Sequence, residues 1–432
     1  MNKAEAIDWL HSRLTFGIKP GLKRMEWFME KLGHPEKRLK AIHIAGTNGK
    51  GSTLSYIRNL LQAHHYEVGT FTSPYITEFN ERISINGQPI KDDHLIKLVE
   101  KMIPLCNELA QTELGEPTEF EVITAMAFDY FATQSLDYVI FETGLGGRLD
   151  STNVVLPLLT VITNIGLDHT AILGDSYEQI AAEKAGILKR HIPLITAVQQ
   201  ENAREVIRRR AWKLDAPIEE LGLSFSIFDN SVKDGNETFR FQNGNVKSPR
   251  ITIQMKGEHQ VKNAAVALQT FFRLSERENI QLDWNKVLSG MEKTKWPGRF
   301  ELIHHQPTVI LDGAHNEEGL DSLIRSLERY YHNKNWHIIF SAMKDKPLHN
   351  MIAKLDKHFS SITFTTFPFP RAADPGDLAC YSHHEHVDKI PNWERAIQRK
   401  IHLATEHDIT VVSGSLYFVS EIRRNFEKIT TI

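Results

Sequence analysis

Apolar positions along this chain follow two rhythms that take turns over nearly its whole length. Short β-rich runs, AIHIAG (41–46), YVIFET (138–143), LLTVIT (158–163), PLITAV (193–198), TVILDG (308–313), HIIFSA (337–342) and ITVVSG (409–414), read as strands. Between them STLSYIRNLLQAH, EFEVITAMAFDYFATQ, SYEQIAAEKAGIL and HQVKNAAVALQTFF keep their apolar residues on one stripe at helical spacing. Repeated βα units follow, the pattern of an α/β fold with a doubly wound, mostly parallel sheet covered by helices.

Two stretches break the rhythm. From Leu221 to Pro249 the chain is polar and rich in Asn, Gly, Phe and Ser, which predicts short antiparallel strands and turns decorating the first domain. At WPGRF (296–300), Trp-Pro-Gly ends any preceding helix, and a new βα series is expected from Thr308. The domains are therefore expected to span 1–295 and 296–432, with the linker around 294–300. No repeat of 20 to 50 residues and no low-complexity tract interrupts them.

A length of 432 residues gives each domain enough chain to bury a core. Lys plus Arg number 51 against 54 Asp plus Glu, a formal net charge of −3, which argues against wholesale nucleic-acid wrapping. The only cysteines, Cys106 and Cys380, exclude a disulfide framework and a Cys-based zinc site. MNKAEAIDWLHSRL has helical apolar spacing rather than the layout of a secretory signal, and VVLPLLTVIT (154–163) is too short to span a bilayer. A cytoplasmic protein without membrane or nucleic-acid partners is expected.

The most informative segment is AIHIAGTNGKGSTLSYIRNLL (41–61), where a strand enters a Gly-rich turn and then a helix. Gly46, Gly49 and Gly51 let backbone N–H groups and the helix N-terminus converge on an anion, Lys50 supplies a point charge for phosphate oxygens, and Ser52 or Thr53 a hydroxyl. The spacing departs from the common GxxxxGK[ST], since Ile44 stands at the first glycine and Gly51 directly follows Lys50. YVIFETGLGGRLDSTN (138–153) lacks the third glycine of a dinucleotide fingerprint, Leu149 being in its place, yet it sets Glu142 at a strand's C-terminal rim. A carboxylate beside a phosphate loop suits Mg²⁺. TVITNIGLDHT (160–170) brings Asn164, Asp168 and His169 to the same rim, and TVILDGAHNEEG (308–319) presents Asp312, His315 and Asn316. EKAGI (183–187) puts Lys184 on a helix whose apolar neighbours lower an amine's pKa. The His-rich YSHHEHVD (381–388) lacks helical HExxH order and reads as solvated surface.

Taken in order, TNGKGS (47–52), TSPYITEFNERI (72–83), TEFEVITA (118–125), ETGLGGRLDSTNV (142–154), GLDHTAILG (166–174), AAEKAGILK (181–189), GEHQVKNAA (257–265), WPGRFE (296–301), DGAHN (312–316) and SGSLYF (413–418) resemble the folylpolyglutamate synthase/dihydrofolate synthase family. The resemblance covers essentially the whole chain. It implies an ATP-dependent ligase related to the Mur ligases, with a P-loop α/β domain and a smaller Rossmann-like α/β C-terminal domain. Ser73, Glu142 and His169 resemble the family's Mg²⁺ ligands. The loop Gly46, Thr47, Asn48, Gly49, Lys50, Gly51 and Ser52 resembles its phosphate cradle, and Lys184 its carbamylated lysine. Asn263, Arg299, Asp312 and His315 would complete the ATP site from the domain interface. Tyr75 stands where many bacterial relatives carry His, a change in the substrate loop.

The implied chemistry moves the γ-phosphoryl of ATP onto the carboxylate of a folate or dihydropteroate, after which the α-amine of L-glutamate displaces phosphate. Lys50, Lys184, His169 and His315 are the expected catalytic residues, ATP and Mg²⁺ the expected cofactors, and a monomer the expected state. Two other readings compete. A Mur-type cell-wall ligase would need a separate N-terminal nucleotide domain, and only 45 residues precede Gly46. A P-loop switch that holds nucleotide without ligating would need no WPGR–DGAHN half.

Overall fold

A computed structural model describes residues 1–17 and 19–430. Among them the largest sheet has eight strands, in the spatial order Gln88–Pro89, Ile83–Ile85, Val68–Phe71, Tyr138–Glu142, Ala41–Ala45, Leu159–Ile162, Leu194–Thr196, Ile218–Glu220. The last six pair in parallel and the two short edge strands pair antiparallel. Side chains of Ala41–Ala45 alternate between faces, and both faces are covered. Ile42 and Ile44 meet Leu54, Ile57 and Leu61 of helix Lys50–Ala63 and Leu268 and Phe271 of helix Glu258–Glu278. Ala41 and Ala45 face the opposite layer, built on helices Glu119–Ala132 and Tyr177–Lys184. Burial on both faces explains why these strands read as unbroken apolar runs.

Helix Glu119–Ala132 starts at a capping box in which Thr118 N–H donates to Glu121 Oε2 at 2.8 Å and Glu121 N–H to Thr118 Oγ1 at 3.3 Å. Its buried Phe128 stacks on Phe141 at 4.4 Å between ring centres, and Phe71 and Phe131 close the same cluster. Each such ring contributes about 1.5–3 kcal/mol by leaving water.

The polar stretch forms strands Phe225–Lys233, Asn236–Asn243 and Val246–Lys247, joined by Ile251–Ile253 into an antiparallel sheet. The first two strands, of nine and eight residues, are longer than the sequence suggests, and the other two are as short as expected. The first hairpin turns at Asp234 and Gly235, both at positive φ (50° and 74°), as a two-residue turn of this hand requires.

Helix Trp284–Lys293 ends before WPGRF, and a six-stranded sheet follows in the order Glu301–His305, Thr308–Leu311, Asp408–Ser413, Asn335–Phe340, Ser361–Thr366, Val387–Asn392. The second βα series opens at Thr308 as expected, Thr308–Leu311 leading into helix Glu317–Tyr331. An antiparallel edge strand, Glu301–His305, precedes it, hidden in the sequence by two polar histidines. Among the described residues no helix is long and apolar enough to cross a membrane.

Candidate active site

The central strand Ala41–Ala45 delivers the chain into the glycine turn, and glycine is required there by contact as well as by conformation. A Cβ on Gly46 (φ +154°) would lie 1.9 Å from Thr163 Oγ1, and one on Gly49 (φ +81°) 2.4 Å from Asn263 Oδ1. Gly51 abuts the Trp296 indole of the linker, 2.9 Å from such a Cβ. The turn is held from the next strand's rim. Thr163 Oγ1 donates to the Asn48 carbonyl at 2.6 Å, Asn48 N–H to Asn164 Oδ1 at 2.8 Å, and Gly166 N–H to Thr47 Oγ1 at 2.9 Å. Ser52 and Thr53 are buried in the helix's first turn, Thr53 Oγ1 without a partner among the described residues.

Two lysines meet at the loop. Lys50 Nζ donates to the carbonyls of Gly46 and Thr47 at 3.1 and 3.4 Å, and Lys184 Nζ donates to the same Gly46 carbonyl at 3.0 Å. Lys184, a residue only 4% exposed, ends its helix; burial first, and then the Lys50 charge, bring its amine down to about 7. Glu142 lies 3.9 Å from Lys50 and accepts from Ser73 N–H at 3.4 Å. Burial pushes its carboxyl up to about 7, against the opposing pull of Lys50.

The structure thus brings Ser73, Glu142 and Lys50 together. His169, exposed and at positive φ (51°), feels the Lys50 charge as well, and partial desolvation brings its ring down to about 4. That ring has no hydrogen-bond partner among the described residues, and no three His, Cys, Asp or Glu side chains there form a ready-made metal cluster. A carboxylate, a hydroxyl and an imidazole without a full cage nevertheless fit Mg²⁺, which takes few protein ligands and keeps water and phosphate oxygens.

The second sheet completes the site. Asp312 accepts from Phe300 N–H at 2.8 Å and Ala314 N–H at 2.9 Å, and is raised by burial in spite of the Arg299 charge beside it. Arg299, half-buried, lies within the fields of both Asp312 and Glu142. Asn263 rests against Gly49 and donates to Gln260 Oε1 at 3.1 Å. Asn316 and Asn48 exchange reciprocal amide hydrogen bonds of 3.2 Å across the two halves. Asp168 is the densest crossing point: it accepts from Lys346 Nζ at 2.5 Å and Asn316 Nδ2 at 3.1 Å, with His315 Nε2 at 3.5 Å. Burial opposes its ionisation, but His315, Lys346 and His169 outweigh burial and hold the carboxyl well below the usual range.

Lys346 lies six residues beyond strand Asn335–Phe340, with no motif in the sequence to mark it. Asp168 and Asn316 stood out only as polar rim residues, since their pairing spans 148 positions. In the His-rich stretch, His384 Nε2 is bonded to the Phe359 carbonyl at 2.9 Å.

Residues 44–271 match the Mur ligase middle domain and residues 298–416 the Mur ligase glutamate ligase domain. A dihydrofolate synthase/folylpolyglutamate synthase of Bacillus subtilis is 46% identical over 430 residues, covering 98% of this chain and 99% of that one. The chain belongs to the folylpolyglutamate synthase/dihydrofolate synthase family of Mur ligases. Among solved structures, the Mycobacterium tuberculosis folylpolyglutamate synthase complexed with ADP and AMPPCP superposes with a TM-score of 0.91 at 30% identity, covering 98% of this chain and 99% of that one. An FPGS–AMPPCP–folate complex gives 0.86 at 29% identity, covering 99% and 100%. This member of the family is accordingly an ATP-dependent ligase with a Mur-ligase α/β fold, and the switch reading falls because the second half is a ligase domain.

Proposed function

We propose that the chain joins L-glutamate to the terminal carboxylate of folates and also to dihydropteroate, through an acyl phosphate formed with ATP. Residues 1–295 form the nucleotide domain and 296–432 the domain that closes over it. The observation that carries this reading is the convergence of Lys50 and Lys184 on the Gly46 carbonyl while Asn48 and Asp168 reach Asn316, His315 and Lys346 of the second domain. Phosphate cradle and closing domain meet within one chain, which favours a monomer acting on small molecules; we place it in the cytoplasm.

A carboxylate is a poor electrophile, so catalysis rests on positioning and on neutralising phosphate charge. Lys50 provides a mobile cation at the loop, and the Gly46–Ser52 backbone provides N–H donors at a helix N-terminus. Arg299, Asp312 and Asn263 orient the nucleotide from the interface, and His315 faces the phosphate end. Ser73, Glu142 and His169 would hold Mg²⁺, which when bound neutralises phosphate oxygens. Interdomain contacts at Asn48 and Asp168 exclude water that would hydrolyse the acyl phosphate.

ADP release measured with each substrate omitted in turn tests the proposal. Release should require both a pteroate or folate carboxylate and L-glutamate, with amide formed in step. ADP formation indifferent to both, without amide, overturns the ligation chemistry proposed here. Glutamate addition to tetrahydrofolates but never to dihydropteroate removes only the dual specificity.

A further inference from the structure

The antiparallel hairpin sheet has no part in the chemistry described so far, yet it carries a fully buried carboxylate. Glu237, on strand Asn236–Asn243, has 0% of its surface exposed. Both its oxygens are taken by the second domain: Tyr330 OH donates to Oε1 at 2.7 Å and Arg329 Nη2 to Oε2 at 2.8 Å. Arg329 also lies 3.5 Å from Glu258 and 3.4 Å from Asn230 Oδ1, and Lys256 Nζ sits 5.0 Å over the Tyr330 ring. A buried carboxylate stripped of these partners is costly, so the contact favours one seating of the second domain.

Arg329 and Tyr330 stand in the last turn of helix Glu317–Tyr331. The other end of that helix is the site. Asn316 is its N-cap, accepting from Gly319 N–H at 2.8 Å while pairing with Asn48 and Asp168, and His315 precedes it. Glu318, in the first turn, accepts from Leu167 N–H at 2.9 Å. Fifteen residues make a rigid rod of about 22 Å, gripped by Glu237 at one end and seated on the phosphate loop at the other.

We propose that Glu237 is a positioning residue of the ligase reaction: by holding the C-terminal end of helix 317–331 it sets the angle at which His315 and Asn316 close on the phosphate loop. This rests on the acyl-phosphate reading above. A tilt of the rod at Glu237 becomes a displacement at Asn316, and opens the seam that keeps water out. Water then attacks the acyl carbonyl, the C–O bond to phosphate breaks, and the carboxylate is regenerated with inorganic phosphate released. ATP is spent without amide.

The test compares the full-length wild type with Tyr330→Phe and Glu237→Gln, measuring ADP and labelled glutamate incorporation together with the KM for glutamate. Wild type should form one ADP per amide. Both variants should form more ADP per amide and raise the glutamate KM by about tenfold. A merely destabilised fold lowers ADP and amide in proportion. Tyr330→Phe removes a single oxygen and carries the test should Glu237→Gln fail to fold. A ratio that stays at one with an unchanged KM overturns the inference. A wild type that forms no amide overturns the ligase reading instead, before any variant is compared.

Discussion

Lys184 donates from Nζ to the Gly46 carbonyl at 3.0 Å, and that oxygen also receives Lys50 Nζ at 3.1 Å. Two full positive charges on one carbonyl repel, and the one deeper in the protein gives up its proton more readily. Lys184, buried and brought down to about 7, is that group. The arrangement supports the proposed division of labour, with Lys50 as the cation for phosphate and Lys184 as an amine available for modification.

Lys50→Ala should reduce kcat by about 10²–10³-fold, because one preorganised charge on the transferring phosphoryl is removed. The fold should persist, since the side chain's direct partners are two loop carbonyls and a carboxylate at 3.9 Å. Steady-state ADP production and a thermal melt check both halves. A melt lowered by more than a few degrees would make Lys50 structural.

Gly49→Ala should weaken ATP binding and cost stability. The residue caps helix Lys50–Ala63 at φ +81°, where a Cβ costs about 1–2 kcal/mol. The new Cβ would also displace Asn263, 2.4 Å from its position. Calorimetric titration with a non-hydrolysable ATP analogue should show the loss, and unchanged affinity would count against the loop as the phosphate cradle.

The strands that carry the site were legible because both their faces are buried, as at Ile42, Ile44, Ala41 and Ala45. Val68–Phe71 and Ile218–Glu220 do not stand out in the sequence, because Gly69 in one and Glu219 and Glu220 in the other dilute the apolar run. Lys50, Glu142 and Asp312 could be found from their place at strand rims. Lys346 and Glu237 could not, because a single charged residue in a polar stretch reads as solvated. Only the fold shows Glu237 at 0% exposure, facing residues 92 and 93 positions away.

Lys346→Met should destabilise the protein by about 3–5 kcal/mol, the usual effect of removing one member of a buried pair. Lys346 and Asp168 side chains are 9% and 6% exposed. The remaining donors from Asn316 and His315 place the value toward the lower end of that range. Denaturant unfolding followed separately by probes in each domain should show the two transitions drawing apart, since the variant cuts a crossing between them. Superimposable wild-type and variant curves would make the pair incidental.

Lys184 should be carbamylated in the active enzyme, and its pH dependence follows from the sign of its shift. Carbamate forms only from the neutral amine, and an amine at about 7 is half neutral at that pH, whereas an ordinary lysine at 10.5 is almost wholly protonated. Acidification below 7 protonates the amine and favours loss of CO₂; alkalinisation above 7 favours the carbamate. Activity in CO₂-free buffer at pH 6 should therefore fall with time and return on adding bicarbonate at pH 7.5. Nuclear magnetic resonance with carbon-13-labelled bicarbonate should show one carbamate signal, absent from Lys184→Ala. A short-chain carboxylic acid should partly restore activity to that variant, because its oxygens can stand in for those of the carbamate in the space the side chain vacates. Full activity in CO₂-free buffer at pH 6, with no carbamate signal, would leave Lys184 as an amine that ties its helix to the Gly46 carbonyl and does nothing more.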